Sequence, residues 1–297
     1  MNEIITKGGK TYQFVTGYRD NLALRNSLNQ LTERTFGFTF EQWYQDGYWT
    51  DKYLPYSLLD GENIIANVSV NFMDFLIDGT KKHYIQLGTV MTDPAYRGLG
   101  LSRILIEKIF ADYKDQCELF YLFANDTVLD FYPRFGFVKT EQYQYSKQVA
   151  KGKDVANIRK LDMSNVNDRK LLIKTIENAA PLTSLFMADN TPITMFHCTY
   201  LKRESIYYIQ DYDAVAIADY DKDILRLYEI FSTKKVALDN ILNVLLQEQI
   251  ARVVLGFTPQ DLTSYQKSKI SNEDTLFVKL VNGTIPVMGM FPELSHT

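Results

Sequence analysis

Cysteine is nearly missing from this chain. Only Cys117 and Cys198 occur in 297 residues, far apart and outside any CxxC spacing, which excludes a disulfide framework and a thiolate zinc site. Both are read as buried packing groups. Histidine is also scarce, with three residues in all, so no metal is expected. Nowhere does an apolar run approach the roughly 18 residues that a membrane-spanning helix needs. The first residues, MNEIITKGGKTYQF, carry charge and no apolar leader core, so the expected location is the cytoplasm, without membrane association. A positive field is missing too: 32 Lys plus Arg against 36 Asp plus Glu leave a net charge of −4. Nucleic acid is therefore not an expected partner. What is present, 46% hydrophobic and 23% charged residues, suits a globular chain burying one large core or two medium ones.

Glycine is unevenly spread. Twelve of the fifteen lie at or before Gly152, and the polar, lysine-rich stretch Ser146 to Asp154 reads as a linker. We therefore expect two domains, residues 1–148 and 149–297. In the first, Tyr12 to Tyr18 reads as a strand, and Asp20 as the N-cap of a helix through Leu22, Leu24, Leu28 and Leu31. Leu54 to Leu59, Asn63 to Phe75 and Lys81 to Met91 read as an antiparallel meander turning at Asp60-Gly61-Glu62 and Asp78-Gly79-Thr80. A helical face follows at Leu101 to Phe110, then an apolar strand at Leu119 to Phe123, a helix from about Thr127 to Pro133, and a last strand at Phe137 to Tyr145. The second half repeats the order more loosely. Its strands are expected at Ile206 to Ile209, Ala214 to Asp219 and Ile224 to Phe231, its helix at Val236 to Ile250, and further strands at Arg252 to Phe257 and Thr275 to Val281.

Chemistry concentrates between Thr89 and Ser102, TVMTDPAYRGLGLS, where a strand passes through a glycine-bearing turn into a helix. The first N–H groups of a helix have no intrahelical acceptor, and the helix dipole adds about half a positive charge there, so the turn is built to hold an anion such as a pyrophosphate. Gly98 and Gly100 let the backbone approach the phosphates, and Arg97 and Arg103 add charge. Neither GxxxxGK[ST] nor an early GxGxxG is present, which excludes the P-loop and the dinucleotide fold.

Arg97-x-x-Gly100-x-Ser102, preceded by Val90-x-x-x-Pro94, resembles the R/Q-x-x-G-x-G/A signature of the Gcn5-related N-acetyltransferases, or GNAT superfamily, with Ser102 where Gly or Ala is usual. Asn125 and the run Phe131-Tyr132-Pro133-Arg134-Phe135-Gly136-Phe137 resemble that family's helix against the coenzyme, its tyrosine and its GF turn. The resemblance implies an α/β (α+β) fold of two tandem GNAT-like domains, each a mixed, mostly antiparallel sheet flanked by helices. It implies acetyl-CoA as donor, with the backbone of Val90, Met91 and Thr92 pairing with pantetheine and the thioester, and Gly98, Leu99, Gly100, Leu101, Ser102 and Arg103 cradling the pyrophosphate beside Arg97. Tyr132 is then the general acid toward the leaving thiolate. The acceptor is an amine of a small molecule or peptide, attacking directly. Tyr84 and Gln86 stand where some relatives place a carboxylate base, so no base is assigned.

The run Tyr132 to Phe137 is most similar to tandem GNAT proteins of the enhanced-intracellular-survival type, which acetylate amines including aminoglycosides. Their third domain is not expected here, and their C-terminal carboxylate base is not transferred to Thr297. In the second half, Ser232-Thr233-Lys234-Lys235 offers no glycine turn, so that domain is expected to bind no CoA and to shape the acceptor site. Both tryptophans lie in Phe40 to Asp51, where Trp43, Tyr44 and Trp49 beside Glu41, Asp46 and Asp51 suit a cationic amine. Packing over the sheet is an equal reading of these rings, and His83 is a further acceptor-site candidate. The alternative function is a catalytically silent GNAT-fold module that binds CoA or a protein partner.

Overall fold

A computed structural model describes residues 3–150, 157–271, 274–282 and 289–297. The meander forms as its turns dictate. Strands β1 (Glu3–Lys7), β2 (Lys10–Thr16), β3 (Tyr53–Asp60), β4 (Asn63–Ile77) and β5 (Thr80–Thr92) pair antiparallel in chain order, and β5 then pairs in parallel with β6 (Leu119–Ala124). At the tight β4–β5 turn Asp78 and Gly79 both take positive φ, the conformation that two-residue hairpins require. β1 was not anticipated, although Gly8 and Gly9 supply its hairpin turn with positive φ at both positions. Helix α1 (Leu22–Phe36) is capped by Asn21, whose side chain accepts from the Leu24 N–H at 3.2 Å. The expected cap, Asp20, lies one residue outside and instead accepts from the Tyr44 hydroxyl. A short helix α2 (Glu41–Gln45) precedes β3, and α3 (Leu101–Tyr113) follows β5.

After β6 the chain departs from expectation. The helix expected from Thr127 to Pro133 is two 3₁₀ turns, Asp126–Val128 and Tyr132–Phe135. Pro133 supplies no N–H for an α-helical ladder there, and Gly136 ends the second turn in the left-handed region. The strand expected from Phe137 to Tyr145 divides into β7 (Val138–Lys139) and β8 (Tyr143–Gln148), which join different sheets. Three residues of the expected linker, Ser146 to Gln148, therefore lie in a strand, while 151–156 lie outside the described residues.

The second half contains β9 (Ile158–Lys160), α4 (Val166–Glu177), β10 (Leu185–Ala188), α5 (Thr191–Phe196), β11 (Ile206–Ile209), β12 (Ala214–Asp221), β13 (Ile224–Ser232), α6 (Leu238–Leu245), β14 (Arg252–Leu255), β15 (Gln266–Lys269) and β16 (Thr275–Leu280). Among the described residues the first sheet runs β1-β2-β3-β4-β5-β6-β16-β7, with β10 also on β4, and the second runs β15-β8-β14-β13-β12-β11-β9. The halves thus exchange strands: β10 and β16 enter the first sheet, and β8 enters the second.

Both halves repeat one unit. In each, three antiparallel strands lead through a bulge and a helix to a parallel strand. The bulge in the first lies where pairing steps from Asn67↔Met91 to Ser69↔Gly88, and in the second where Ile217↔Glu229 is followed by Ala218↔Leu227. Helix α3 covers one face of the first sheet through Leu101, Leu105, Ile106 and Ile109. On the opposite face Met73, Phe75 and Tyr121 share a core with Leu185, Ile217, Phe231 and Phe291 from the second half. At roughly 25 cal/mol per Å² of apolar surface removed from water, such a shared core binds the halves into one body.

Candidate functional site

β5 and β6 stay paired only from Tyr84↔Leu119 to Gln86↔Tyr121, and beyond that register no strand among the described residues pairs with β5 on its β6 side. Just past this point Thr89 takes φ +45°, costly for a β-branched residue, of order 1–3 kcal/mol. A buried polar network holds it there. The Tyr18 hydroxyl lies 2.7 Å from Ser57, Ser57 donates to Asn67 Oδ1 at 2.8 Å, and Asn67 Nδ2 donates to Ser69 at 3.0 Å and to the Thr89 carbonyl at 2.9 Å. Ser69 donates in turn to the Tyr53 hydroxyl at 2.8 Å, which lies 3.1 Å from Thr89 Oγ1. Burial pushes the Tyr53 phenol up to about 12, so it remains a donor. None of these side chains carries a motif, and only the clustering of Ser and Asn on alternating apolar strands could have signalled them.

The turn below the bulge matches an anion cradle. Gly98 and Gly100 have φ +77° and +74°, which any other residue adopts only with strain. A Cβ at Gly98 meets nothing within 4 Å, so its face is open to a ligand. Gly100 opens α3 and no side chain caps the helix start, leaving the first N–H groups available. Ser102 Oγ lies 2.7 Å from Thr92 Oγ1, so the departure from Gly or Ala ties the helix start to the end of β5. Arg97, Gly98, Leu99 and Gly100 are exposed, and Leu101 is buried beneath them. Arg103 lies over the Phe135 ring, 5.0 Å from its centre, and 3.4 Å from Glu107. Lys7 of β1 was missed: its Cε is 3.9 Å from where a Cβ of Gly100 would sit, which adds a third cation.

Tyr132 is 5% exposed and packs against Phe131, Phe137 and, from β16, Phe277. Burial pushes its phenol up to about 12. Lys279, also on β16, donates to the Phe135 carbonyl at 2.9 Å and fixes the same turn. Asn125 is exposed, with Oδ1 accepting from Thr127 N–H and hydroxyl.

A cavity with about 510 Å³ of empty space, mouth included, opens beside Thr89 between the halves. Phe38, Phe40, Trp43 and Tyr53 line it from the first half and Phe196 from the second; Asn71, Asn190 and Thr297 add polar groups. Of the acceptor candidates only Trp43 lines it. Trp49 is buried behind, its indole donating to the Tyr53 carbonyl, and Tyr44 lies under the Arg25 guanidinium, 3.7 Å from the ring centre. His83 pairs with Asp74 at 2.6 Å, on the face of β4 and β5 opposite Met73, which lines the cavity. The acidic residues expected beside the rings face elsewhere. Glu41 binds Arg25 at 2.7 Å, a hydrogen bond that holds its carboxyl below the usual range, Asp51 binds Arg19 at 3.1 Å, and Asp46 accepts from Gln42. Thr297, to which no role was transferred from the sequence, lies at the bulge. Asn71 donates to its hydroxyl at 3.1 Å, and its N–H donates to the Gln86 amide oxygen at 3.1 Å. A Cβ at Gly88 would stand 2.4 Å from that hydroxyl, so any larger residue there would have to displace Thr297.

Among its described residues the second half lacks this equipment. Beyond its bulge Gly256 N–H donates to Leu227 O at 2.7 Å, and Glu293 N–H donates to Gly256 O at 2.8 Å, so β14 stays close to β13 and the C-terminal segment lies against it. A Cβ at Gly256 would be 2.9 Å from the Tyr228 backbone. At the α6 start the crevice is lined by Lys235, Asp239 and Asp261, and Asp239 pairs with Lys147.

A family model for the acetyltransferase (GNAT) domain matches residues 24–139, the stretch that holds the bulge, the glycine turn and Tyr132. That stretch is a GNAT acetyltransferase domain. The fold is similar over most of the chain to several solved structures. A protein from Enterococcus faecalis V583 described as a probable N-acyltransferase shares 17% identity at a TM-score of 0.63, covering 92% of this chain and 73% of its own. A GCN5-related N-acetyltransferase from Kribbella flavida shares 17% at 0.58, covering 91% and 71%. Eis1 from Mycobacterium abscessus shares 14% at 0.58, covering 91% and 74%. No curated protein matches the sequence. The architecture is thus two tandem GNAT-like units, as expected. No group of three or more potential metal ligands occurs among the described residues, and no helix among them is long and apolar enough to cross a membrane.

Proposed function

We propose that the protein moves the acetyl group of acetyl-CoA to a primary amine. The observation that carries this reading is the joining, within Thr89 to Arg103, of a strand splayed at a bulge to an uncapped helix start with two left-handed glycines. Acetyl-CoA supplies the activated thioester. The α3 N–H groups, with Arg97, Arg103 and Lys7, hold its pyrophosphate, and the β5 backbone from Val90 to Thr92 holds the pantetheine arm. Asn125 flanks the arm beyond β6.

The amine enters from the cavity and attacks the thioester carbonyl beside Thr89. Free amides of β5 stabilise the developing negative oxygen, and Tyr132 donates to the departing sulfur. With its phenol pushed up to about 12, Tyr132 keeps its proton at neutral pH and is present as a donor in every turnover. Residues 1–148 carry the coenzyme in this scheme. Residues 149–297 bind none, because β14 and the C-terminal segment close the second cleft and no glycine turn leads into α6. They instead wall the acceptor cavity with Asn190, Ile193 and Phe196.

Thiol release from acetyl-CoA with a panel of amines tests the scheme. The wild type should turn over at least one amine, and Tyr132→Phe should lower kcat by about 10²-fold with acetyl-CoA affinity unchanged. Full activity in the variant would remove Tyr132 from its role.

A further inference from the structure

The polar network behind the bulge has a direction. A carbonyl can only accept, so the Asn67 amide must turn its nitrogen to Thr89 O, and the same nitrogen donates to Ser69 at 3.0 Å. Ser69 then gives its one proton to the Tyr53 hydroxyl at 2.8 Å, and Tyr53 gives its own to Thr89 Oγ1 at 3.1 Å. On the other side of the amide, Asn67 Oδ1 accepts from Ser57, which leaves Ser57 to accept from Tyr18. Every polar proton from Tyr18 to Tyr53 is thereby assigned, and all five side chains are buried. The proton of the Thr89 hydroxyl is left over. No hydrogen bond among the described residues uses it, and Thr89 lines the cavity.

Hydrogen bonds aligned head to tail polarise one another, so the last donor in the series is stronger than an isolated hydroxyl. Its place is fixed as well. Asn67 holds the Thr89 carbonyl directly and the Thr89 hydroxyl through Ser69 and Tyr53, so one amide sets both polar atoms of a residue at φ +45°. A donor set in advance needs no reorganisation at the moment charge develops on an oxygen before it.

We infer that the Thr89 hydroxyl is a catalytic donor to the oxygen of the thioester carbonyl, aimed by Asn67, Ser69 and Tyr53. This inference rests on the acetyl-transfer reading. In the step concerned, the amine nitrogen bonds to the carbonyl carbon and the C=O pair moves onto oxygen, where Thr89 and the free β5 amides meet it. The pair returns as the C–S bond breaks and the sulfur takes the Tyr132 proton; the nitrogen gives one proton to water, and Tyr132 regains one from water. Thr89 keeps its proton throughout. Asn67, Ser69 and Tyr53 touch no reacting atom and are positioning residues.

Thiol release by the full chain should be measured with 2-phenylethylamine, spermidine, kanamycin and a lysine peptide, the fastest being used throughout, with acetyl-CoA affinity followed by calorimetry. Thr89→Val keeps the branched shape and removes the hydroxyl. It should lower kcat about 10²-fold, the usual effect of deleting one oxyanion donor, with KM and acetyl-CoA affinity within about twofold of wild type. Thr89→Ser keeps the donor and should stay within about fivefold of wild type, whereas Tyr53→Phe frees the hydroxyl to turn and should lose about tenfold in kcat. The dithioester analogue of acetyl-CoA separates this role from a merely structural one, because its thiocarbonyl sulfur accepts hydrogen bonds poorly. With that analogue, Thr89→Val and Tyr53→Phe should each fall within about threefold of wild type. Full activity of Thr89→Val, or losses as large on the dithioester as on the thioester, overturns the inference while acetyl transfer stands. Binding of acetyl-CoA without turnover of any of these amines by the wild type overturns both.

Discussion

Single buried groups set the pH response of the fold. Glu229 is fully enclosed on β13; burial pushes its carboxyl up to about 8, offset in part by the Ile230 N–H at 3.0 Å. The folded chain keeps this proton where the unfolded chain, with an ordinary value of 4.5, has lost it. Unfolding then releases a proton, so this contribution falls as pH rises from about 4.5 to about 8. His197 and His296 act in the opposite sense. Burial lowers them to about 4 and about 3 from 6.5, so unfolding takes up protons and stability falls as pH drops below 6.5. Between 4.5 and 6.5 the two imidazoles outweigh the one carboxyl, and above 6.5 Glu229 dominates the three. Melting temperature should peak near pH 6.5, and Glu229→Gln should flatten the decline toward pH 8. Parallel profiles for wild type and variant between pH 6.5 and 8 would contradict this assignment. Residues of this kind were illegible beforehand, because Glu229 sits in a strand pattern like any other and only its enclosure by distant elements perturbs it.

Elements were legible where their signals are local. The meander from Tyr53 to Thr92 carries its own turn residues, and the α3 start carries its own glycines, so both stand where expected. Strand neighbours were not. Thr275 to Val281 reads as a strand, and Thr275–Leu280 forms one, but nothing in the pattern says that it pairs between β6 and β7 of the other half. This placement matters to the site, since β16 supplies both Phe277 against the Tyr132 ring and Lys279 on the Phe135 carbonyl. Phe277→Ala should cost ~3 kcal/mol in denaturant unfolding, the usual loss for a buried ring. It should also lower kcat more than it weakens acetyl-CoA binding. An intact kcat with the expected loss of stability would show that the strand supports the fold without positioning the tyrosine.

At the scale of the whole molecule, the strand exchange and the shared core make the two units interdependent. Residues 1–148 alone lack β10 and β16, so β6 would expose an open edge together with the apolar surface that Leu276 and Val278 cover. That fragment should fail to give a cooperative melt. The full chain should unfold in one transition, coincident by circular dichroism and by fluorescence of Trp43 and Trp49, the first of which packs on Phe196. A stably folded fragment would contradict the interdependence. The cavity beside Thr89 has the same dependence on both halves, which is why sequence motifs confined to Thr89 through Phe137 located the glycine turn and left Phe196 and Asn190 unseen.

The central claim is that the helix start at Gly100 grips the diphosphate of coenzyme A. Calorimetric titration of acetyl-CoA into the wild type and into Gly100→Glu tests it most directly, because the added carboxylate brings like charge and bulk to the cradle at a position of φ +74°. Saturable one-to-one binding by the wild type, abolished in a variant that keeps its circular dichroism spectrum, is the predicted result. No binding by the wild type, or undiminished binding by the variant, would contradict the claim.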